Sequence, residues 1–114
     1  MLKIYHNPFC SKSKCLLEYL EKNKIPYEFV DFMNTPLTRE KLIEILKKLN
    51  LSAEELTRKS ELQFQEKFSA ENLSEEDYLR ILSENPSLIQ RPIAEDEHKA
   101  MIIRPLDKIE EFLK

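Results

Sequence analysis

The chain has 114 residues and a net charge of −3, with 34% charged and 41% hydrophobic residues. That length is enough for one domain with a core, and the near-balanced charge does not indicate general nucleic-acid binding. No apolar run reaches membrane-spanning length, the first residues lack the apolar core of a signal peptide, and two cysteines are too few for a secreted disulfide framework. We therefore expect a cytosolic protein whose cysteines stay reduced, with no membrane or nucleic-acid partner. We also expect a monomer, although no sequence feature determines the oligomeric state.

The chain contains no glycine, and this excludes sites that depend on glycine-rich turns. A P-loop and a GxGxxG dinucleotide motif are both impossible. Helix ends must instead use residues that tolerate the left-handed conformation, and Asn23, Asn50 and Asn85 are the candidates. An anion site must be built from helix termini and side chains.

The first third of the chain predicts a strand, a helix and a second strand. The strand covers residues 2–5 and stops before Pro8, which has no amide to donate. Apolar residues at helical spacing then predict a helix over residues 11–23, and an aromatic and β-branched stretch predicts a strand over 27–32. A connection of this length favours a right-handed crossover between parallel strands.

The middle of the chain predicts only helices. Residues 38–49 show the i, i+3, i+4, i+7 pattern of an amphipathic helix. Ser52 with Glu55 forms a capping box for a short helix ending near residues 57–58, and Phe64 with Phe68 indicates another helical turn. Ser74, followed by three acidic residues, predicts a helix that stops before Pro86.

The last quarter predicts a hairpin and a final helix. The apolar segments 92–94 and 100–103 are separated by the polar residues 95–98, which we interpret as the turn. Pro105 then stands in the first turn of a helix that buries three apolar side chains. These are Leu106, Ile109 and Leu113.

Cys10 lies where the first strand gives way to the first helix. A thiol just before a helix N-terminus faces unpaired amides and the positive end of the helix dipole, and Lys12, Lys14 and His6 can add positive charge. These features favour the thiolate, so we predict that Cys10 is a nucleophile. The same helix start is a candidate oxyanion site, formed by Ser11, Lys12 and Ser13. An inert buried cysteine is the alternative.

Four motifs resemble the glutaredoxin-linked arsenate reductase family. They are HNPFCSKS at residues 6–13, TRKSE at 57–61, NPSLIQRPI at 85–93 and IIRPLDKI at 102–109. Each is weak alone, but together they span nearly the whole chain in the family's order. The resemblance implies an α/β, thioredoxin-like fold in one domain, residues 1–114. It would consist of βαβ, a helical region inserted at about residues 37–88, then ββα, with a four-stranded mixed sheet.

The resemblance also implies a site and a reaction. Cys10 matches the catalytic cysteine, His6 matches the histidine that precedes it, and Pro92 matches a cis-proline beside the active cysteine. Three arginines match those that hold the arsenic oxyanion, and arginine's planar fork suits such an anion. They are Arg58, Arg91 and Arg104. The implied cycle reduces arsenate to arsenite without a metal or bound organic cofactor, with glutathione and glutaredoxin as external reductants.

Each of these residues has a plainer interpretation. Arg58 and Arg104 can be surface or salt-bridge arginines, and His6 can simply fix a turn. His98 lies in the predicted hairpin turn, and we expect it to be exposed and without a role. For Cys15 we favour a small packing residue on the first helix, although a disulfide with Cys10 stays open.

Two other functions are compatible with the same resemblance. Spx-like regulators share this fold and act by binding RNA polymerase rather than by catalysis. They typically carry CxxC and lack the last arginine–proline pair, whereas this chain has Ser13 in place of the second cysteine and keeps Arg104 and Pro105. We therefore favour the enzyme. A reductase of the same family with a different substrate is the remaining alternative.

Overall fold

The computed structural model describes residues 2–6, 11–68, 72–105 and 107–114, with the side chains of residues 11–13 outside the description. These residues form a mixed α/β structure in two compact units. One unit comprises Met1–Thr35 and Arg91–Lys114, and the other is the segment Pro36–Gln90. The second unit has nearly the bounds expected for the helical insertion.

The first unit contains a four-stranded mixed sheet in the order β2-β1-β3-β4. Its strands are β1 (Leu2–Tyr5), β2 (Tyr27–Val30), β3 (Ile93–Glu95) and β4 (Ala100–Ile102). β1 pairs parallel with β2 and antiparallel with β3, which pairs antiparallel with β4. The parallel pair and the hairpin confirm the expected fold class.

Two helices, α1 (Ser11–Lys22) and α6 (Lys108–Leu113), contribute to a core on one face of this sheet. Alternate residues of β1 point into it, because strand side chains alternate between faces. The core residues come from the strands, from both helices and from the segment after β4. They are Leu2, Ile4, Leu16, Leu20, Ala94, Ile103, Ile109 and Phe112.

The final helix differs from the prediction in its start and in its buried face. It begins at Lys108 rather than at Pro105, and Leu106 lies outside the described residues. Ile109 and Phe112 are buried, whereas Leu113 is 41% exposed, so the prediction for Leu113 is wrong. A helix of six residues has room for one inward pair at i, i+3, and the larger Phe112 takes the second position.

The second unit is helical, with α2 (Arg39–Leu49), α3 (Ala53–Leu56), α4 (Leu62–Lys67), α5 (Glu75–Glu84) and a 3₁₀ turn at Pro86–Leu88. Thr38 caps α2, and the predicted capping box of Ser52 and Glu55 is present before α3. Ser74 and Asp77 form a second box before α5. These local caps explain why the helix starts were predictable.

Glu95 corrects the predicted hairpin turn. It is the last residue of β3, is only 2% exposed, and accepts a hydrogen bond of 2.5 Å from the Tyr5 hydroxyl. The turn consists of residues 96–99, where the Asp96 carboxylate accepts the amides of His98 and Lys99 at 2.7 and 2.8 Å. Cross-strand pairing with Lys3 and the tyrosine partner outweigh the polarity that suggested a turn.

Candidate functional site

The segment that contains Cys10 joins β1 to α1. β1 ends at Tyr5 and α1 begins at Ser11, the residue after Cys10 in the sequence, as the prediction required. Cys10 itself lies outside the described residues, and so do the side chains of Ser11, Lys12 and Ser13. Their roles as nucleophile and oxyanion site stay predictions.

His6 is buried at the carboxyl end of β1. Its amide donates to the Val30 carbonyl at 2.9 Å, which extends the parallel pairing by one residue. Its ring meets Phe29 edge to face, with centroids 5.8 Å apart. Burial, followed by the charge of Arg91, lowers the pKa of His6 to about 4, although the charge of Asp31 opposes the shift. The expectation that His6 adds positive charge at neutral pH is therefore wrong.

Arg91 and Pro92 lead into β3. The Arg91–Pro92 peptide bond is cis, the geometry that the resemblance implies, and the Pro92 carbonyl accepts the amide of Ile103 at 2.9 Å. Arg91 is half-buried, and its charge acts on His6. The structure thus brings together His6 and Arg91, two of the predicted site residues, near the ends of neighbouring strands.

Arg104 follows the sheet and is exposed. The bond between Arg104 and Pro105 is also cis, which the sequence did not predict. β4 ends at Ile102 and α6 begins only at Lys108, so Arg104 lies in the connection between them. Its part in oxyanion binding stays a prediction.

Arg58 belongs to the helical unit, and its side chain contacts other residues of that unit. The side chain is 24% exposed, forms an ion pair with Glu61, and donates from Nη1 to the Ser87 carbonyl at 3.2 Å. Its amide donates to the Leu88 carbonyl at 2.7 Å. These contacts give Arg58 a structural role within this unit. Any additional binding of an oxyanion stays a prediction.

The prediction that Cys15 packs in the core is wrong. It is a free, exposed cysteine on α1, not a packing residue. Leu16 and Leu20 are the fully buried residues of this helix, and Cys15 precedes the first of them by one position. Because successive helical residues are rotated by about 100°, that offset turns Cys15 away from the core. His98, by contrast, is exposed as predicted.

A cavity of about 430 Å³ lies beside His6, and the sequence analysis missed three of its five lining residues, Leu17, Tyr27 and Phe29. Lys14 and Leu17 are three positions apart on α1, and Tyr27 and Phe29 are two apart on β2. Helical and strand periodicity place each pair on one face, so the spacing was the available signal. Among the described residues no group of three or more His, Cys, Asp or Glu is arranged to hold a metal ion.

Comparison with known proteins identifies the family of this chain. The sequence model of the ArsC family matches residues 5–112. The chain belongs to the ArsC family. An arsenate reductase from Neisseria meningitidis serogroup A is 39% identical over 114 residues, which cover 98% of this chain and 97% of the relative. This confirms the resemblance given by the four motifs.

The solved structures and the wider family agree with the ArsC assignment. The arsenate reductase from Vibrio cholerae superposes with a TM-score of 0.90 at 30% identity, covering 96% of this chain and 95% of that one. The global transcriptional regulator Spx 1 of Bacillus cereus is 30% identical and covers 99% of this chain and 87% of the regulator. ArsC relatives of this chain thus include both reductases and regulators, on a thioredoxin-like fold. No helix within the described ranges combines the length and apolarity that crossing a membrane requires.

Proposed function

We propose that this protein is a cytosolic, thiol-dependent arsenate reductase in which Cys10 is the nucleophile. The observation that carries the proposal is the full-length similarity to an arsenate reductase, 39% identical over 114 residues. The start of α1 immediately after Cys10 supports it, because a thiol before a helix N-terminus is stabilised as thiolate. We expect the protein to act as a monomer.

The reaction uses Cys10 as a covalent catalyst. The thiolate attacks arsenic in arsenate, a sulfur–arsenic bond forms, and an oxygen leaves as water. A thiol donor then attacks the Cys10 sulfur, the sulfur–arsenic bond breaks, and its electron pair stays with arsenic. Arsenic is reduced from As(V) to As(III), the two sulfurs are oxidised to a mixed disulfide, and arsenite leaves. A second external thiol releases Cys10 by exchange.

Arg91 is the arginine that we propose most strongly as a ligand of the oxyanion. It adjoins Pro92 and lies close enough to His6 for its charge to act on the imidazole. The amides at the start of α1, with Ser11, Lys12 and Ser13, would supply further donors. Arg58 and Arg104 complete the proposed set. His6, neutral at pH 7, would act through hydrogen bonding rather than through charge.

The external reductants are proposed to be glutathione and glutaredoxin, with no bound cofactor or metal. A small thiol can attack the arsenic adduct, and a dithiol protein can then reduce the mixed disulfide. The donor that supports turnover identifies the reductant.

A second candidate function is that of a redox regulator that binds RNA polymerase. It rests on the 30% identity to the regulator Spx 1 over nearly the whole chain. Ser13 in place of a second CxxC cysteine argues against it. A reductase acting on another oxyanion is a further alternative, and it shares the Cys10 mechanism.

The test is a turnover assay of the wild-type protein with arsenate and separate thiol-donor systems. These are glutathione with glutaredoxin, glutathione alone, and thioredoxin. We expect turnover with glutathione and glutaredoxin, loss of turnover by about 1,000-fold or more in Cys10→Ser, and retention of most activity in Cys15→Ser as the matched control. Cys15 is exposed, so its substitution leaves the core intact.

Three results would contradict parts of this proposal. Unchanged turnover in Cys10→Ser would rule out the covalent mechanism. Loss of activity in Cys15→Ser, with an intramolecular disulfide seen by mass spectrometry, would make Cys15 the resolving thiol instead of an external one. A wild-type protein that turns over no arsenate but captures RNA polymerase would favour the regulator.

A further inference from the structure

The cavity beside His6 is built almost entirely from the first third of the chain. Its lining residues are His6, Lys14, Leu17, Tyr27 and Phe29. The volume of about 430 Å³ falls in the range of small-molecule sites. The cavity belongs to the sheet-containing unit alone, since its lining consists of His6, which follows β1, and of residues of α1 and β2.

Three of the five lining residues give this cavity a largely apolar wall: Leu17, Tyr27 and Phe29. Leu17 and Tyr27 pack against the core cluster, so they form a firm base. Phe29 is 36% exposed and is one of the few large hydrophobic side chains that the described surface leaves open. Its edge-to-face contact with His6 holds the ring in place. An open phenyl ring over an apolar base favours a ligand with an aliphatic or sulfur-containing arm.

The charge in the lining comes from Lys14. His6 is neutral at pH 7, and the other three lining residues are uncharged. The nearby Asp31 carboxylate accepts the amides of Met33 and Asn34 at 3.1 and 3.3 Å and the Asn34 side-chain amide at 2.5 Å. Asp31 is not one of the lining residues, although its charge reaches His6 and opposes the effect of Arg91 there. The cavity combines one cation with an apolar wall, which complements a ligand carrying a carboxylate.

The position of the cavity along the chain links it to Cys10. His6 lies four residues before Cys10, and Lys14 lies four residues after it. Residues on both sides of Cys10 in the sequence therefore line the cavity.

We propose that this cavity binds the small, carboxylate-bearing thiol that resolves the arsenic adduct on Cys10. The inference rests on the proposed function and names the partner of its second step. The donor thiol loses its proton, its sulfur bonds to the Cys10 sulfur, and the sulfur–arsenic bond breaks with its electrons passing to arsenic. Lys14 pairs with the donor's carboxylate, and Leu17 and Phe29 contact its arm.

Binding can be tested without turnover. The Cys10→Ser variant is titrated with S-methylglutathione, which keeps the carboxylates of a γ-glutamyl thiol and cannot react, and amide shifts are followed by NMR. We expect shifts at Lys14, Leu17, Tyr27 and Phe29. Adding Lys14→Glu should raise the Kd by about tenfold or more, which is the loss of affinity expected when one charge-assisted contact is removed.

Lys22→Glu in the same background is the matched control. Lys22 is the last residue of α1, so this variant makes the same charge change on the same helix away from the cavity. The Kd should then stay within about twofold of the parent, since exposed charges at that separation are largely screened at physiological salt. Lys14→Ala provides a second, milder variant, and it should weaken binding less than Lys14→Glu.

The activity of otherwise wild-type protein provides the second measurement. Lys14→Glu should raise the KM for glutathione more than the KM for arsenate, because it alters the donor site rather than the oxyanion site. Equal Kd values for the Lys14→Glu and Lys22→Glu variants, or shifts confined to residues outside the cavity, would overturn the inference while leaving arsenate turnover intact. Turnover lost in the wild type, with cavity binding retained, would instead defeat the proposed function alone.

Discussion

His6 is an imidazole whose surroundings decide its charge. The side chain is 1% exposed, and both burial and the charge of Arg91 disfavour the protonated form. Asp31 favours protonation but is outweighed. The pKa of about 4 therefore lies below the 6.5 of an unburied histidine. His6 is a neutral hydrogen-bonding group across the physiological range.

This lowered pKa predicts a specific loss of stability in acid. Below pH 6.5 the unfolded chain protonates His6 while the folded chain does not, so acid favours the unfolded state. The contribution of neutral His6 to the free energy of unfolding is complete above pH 6.5 and is lost as the pH falls toward 4. Between pH 7 and 4.5 the wild type should lose about 2 kcal/mol of unfolding free energy more than His6→Gln does, at about 1.4 kcal/mol per pKa unit.

Urea unfolding at the two pH values measures this difference, and His98→Gln is the control. His98 is exposed in the hairpin turn, so its substitution should leave the pH dependence unchanged. Parallel pH profiles for wild type and His6→Gln would show that His6 is protonated equally in both states. The burial argument would then be wrong.

The helices of this chain end without glycine, and two of them use a left-handed residue instead. Asn50 ends α2 with φ 59°, and Lys24 follows α1 with φ 57°. At α1 the amide of Lys24 donates to the Glu21 carbonyl at 3.1 Å, and that of Ile25 donates to the Leu20 carbonyl at 2.9 Å. This is the Schellman arrangement, with Ile25 packed on the same core as Leu20.

Lys24→Gly should therefore stabilise the protein. A residue with a Cβ pays roughly 1–2 kcal/mol in the left-handed region, and glycine avoids that cost while adding entropy to the unfolded chain. We expect a net gain of about 0.5–1 kcal/mol in the free energy of unfolding, measured by urea denaturation. Asn50→Gly should gain less, because asparagine tolerates this conformation.

A control for these variants is a glycine placed inside a helix. Lys47→Gly, in the last turn of α2, should destabilise by about 1 kcal/mol because helical φ offers glycine no relief. If Lys24→Gly destabilised the protein as Lys47→Gly does, the left-handed conformation of Lys24 would be excluded.

Helices and strands were predictable where the residues that determine them are close in the sequence. Burial was not predictable where it depends on contacts between residues distant in the sequence. Capping residues such as Ser52 and Ser74 fixed helix starts, and periodicity identified α2 and α5. Of the expected helix-ending asparagines, only Asn50 adopts the left-handed conformation; Lys24 replaces Asn23, and Asn85 has φ −132°. Hydrogen-bond geometry across a turn decides this, and composition does not reveal it.

The site was predictable to a similar extent. The order of β1, Cys10 and α1 along the chain followed from the sequence, but the charge of His6 depends on burial and on Arg91, which is distant in the sequence. The buried pair of Tyr5 and Glu95 is 90 positions apart, and neither residue signals the other. Sequence polarity alone placed Glu95 in a turn, because the register of β1 with β3 is a long-range property.

At the scale of the whole molecule, the question is whether the two compact units unfold together. Each contains about 60 residues or fewer, and chains of that size bury only about 60% of their surface and are marginally stable alone. The expectation of a single domain with a helical insertion therefore predicts one cooperative transition. Two transitions are the alternative.

Two matched core variants decide between these outcomes. Leu16→Ala removes a fully buried side chain of the sheet-containing unit, and Leu82→Ala removes one from the helical unit. Each should cost about 2–5 kcal/mol because it leaves a cavity. In a single transition, either variant lowers the urea midpoint equally for amide exchange probes in β1 and in α5, since the free energy is shared. If Leu82→Ala lowered the midpoint only in α5 and Leu16→Ala only in β1, the units would unfold separately and the single-domain prediction would be wrong.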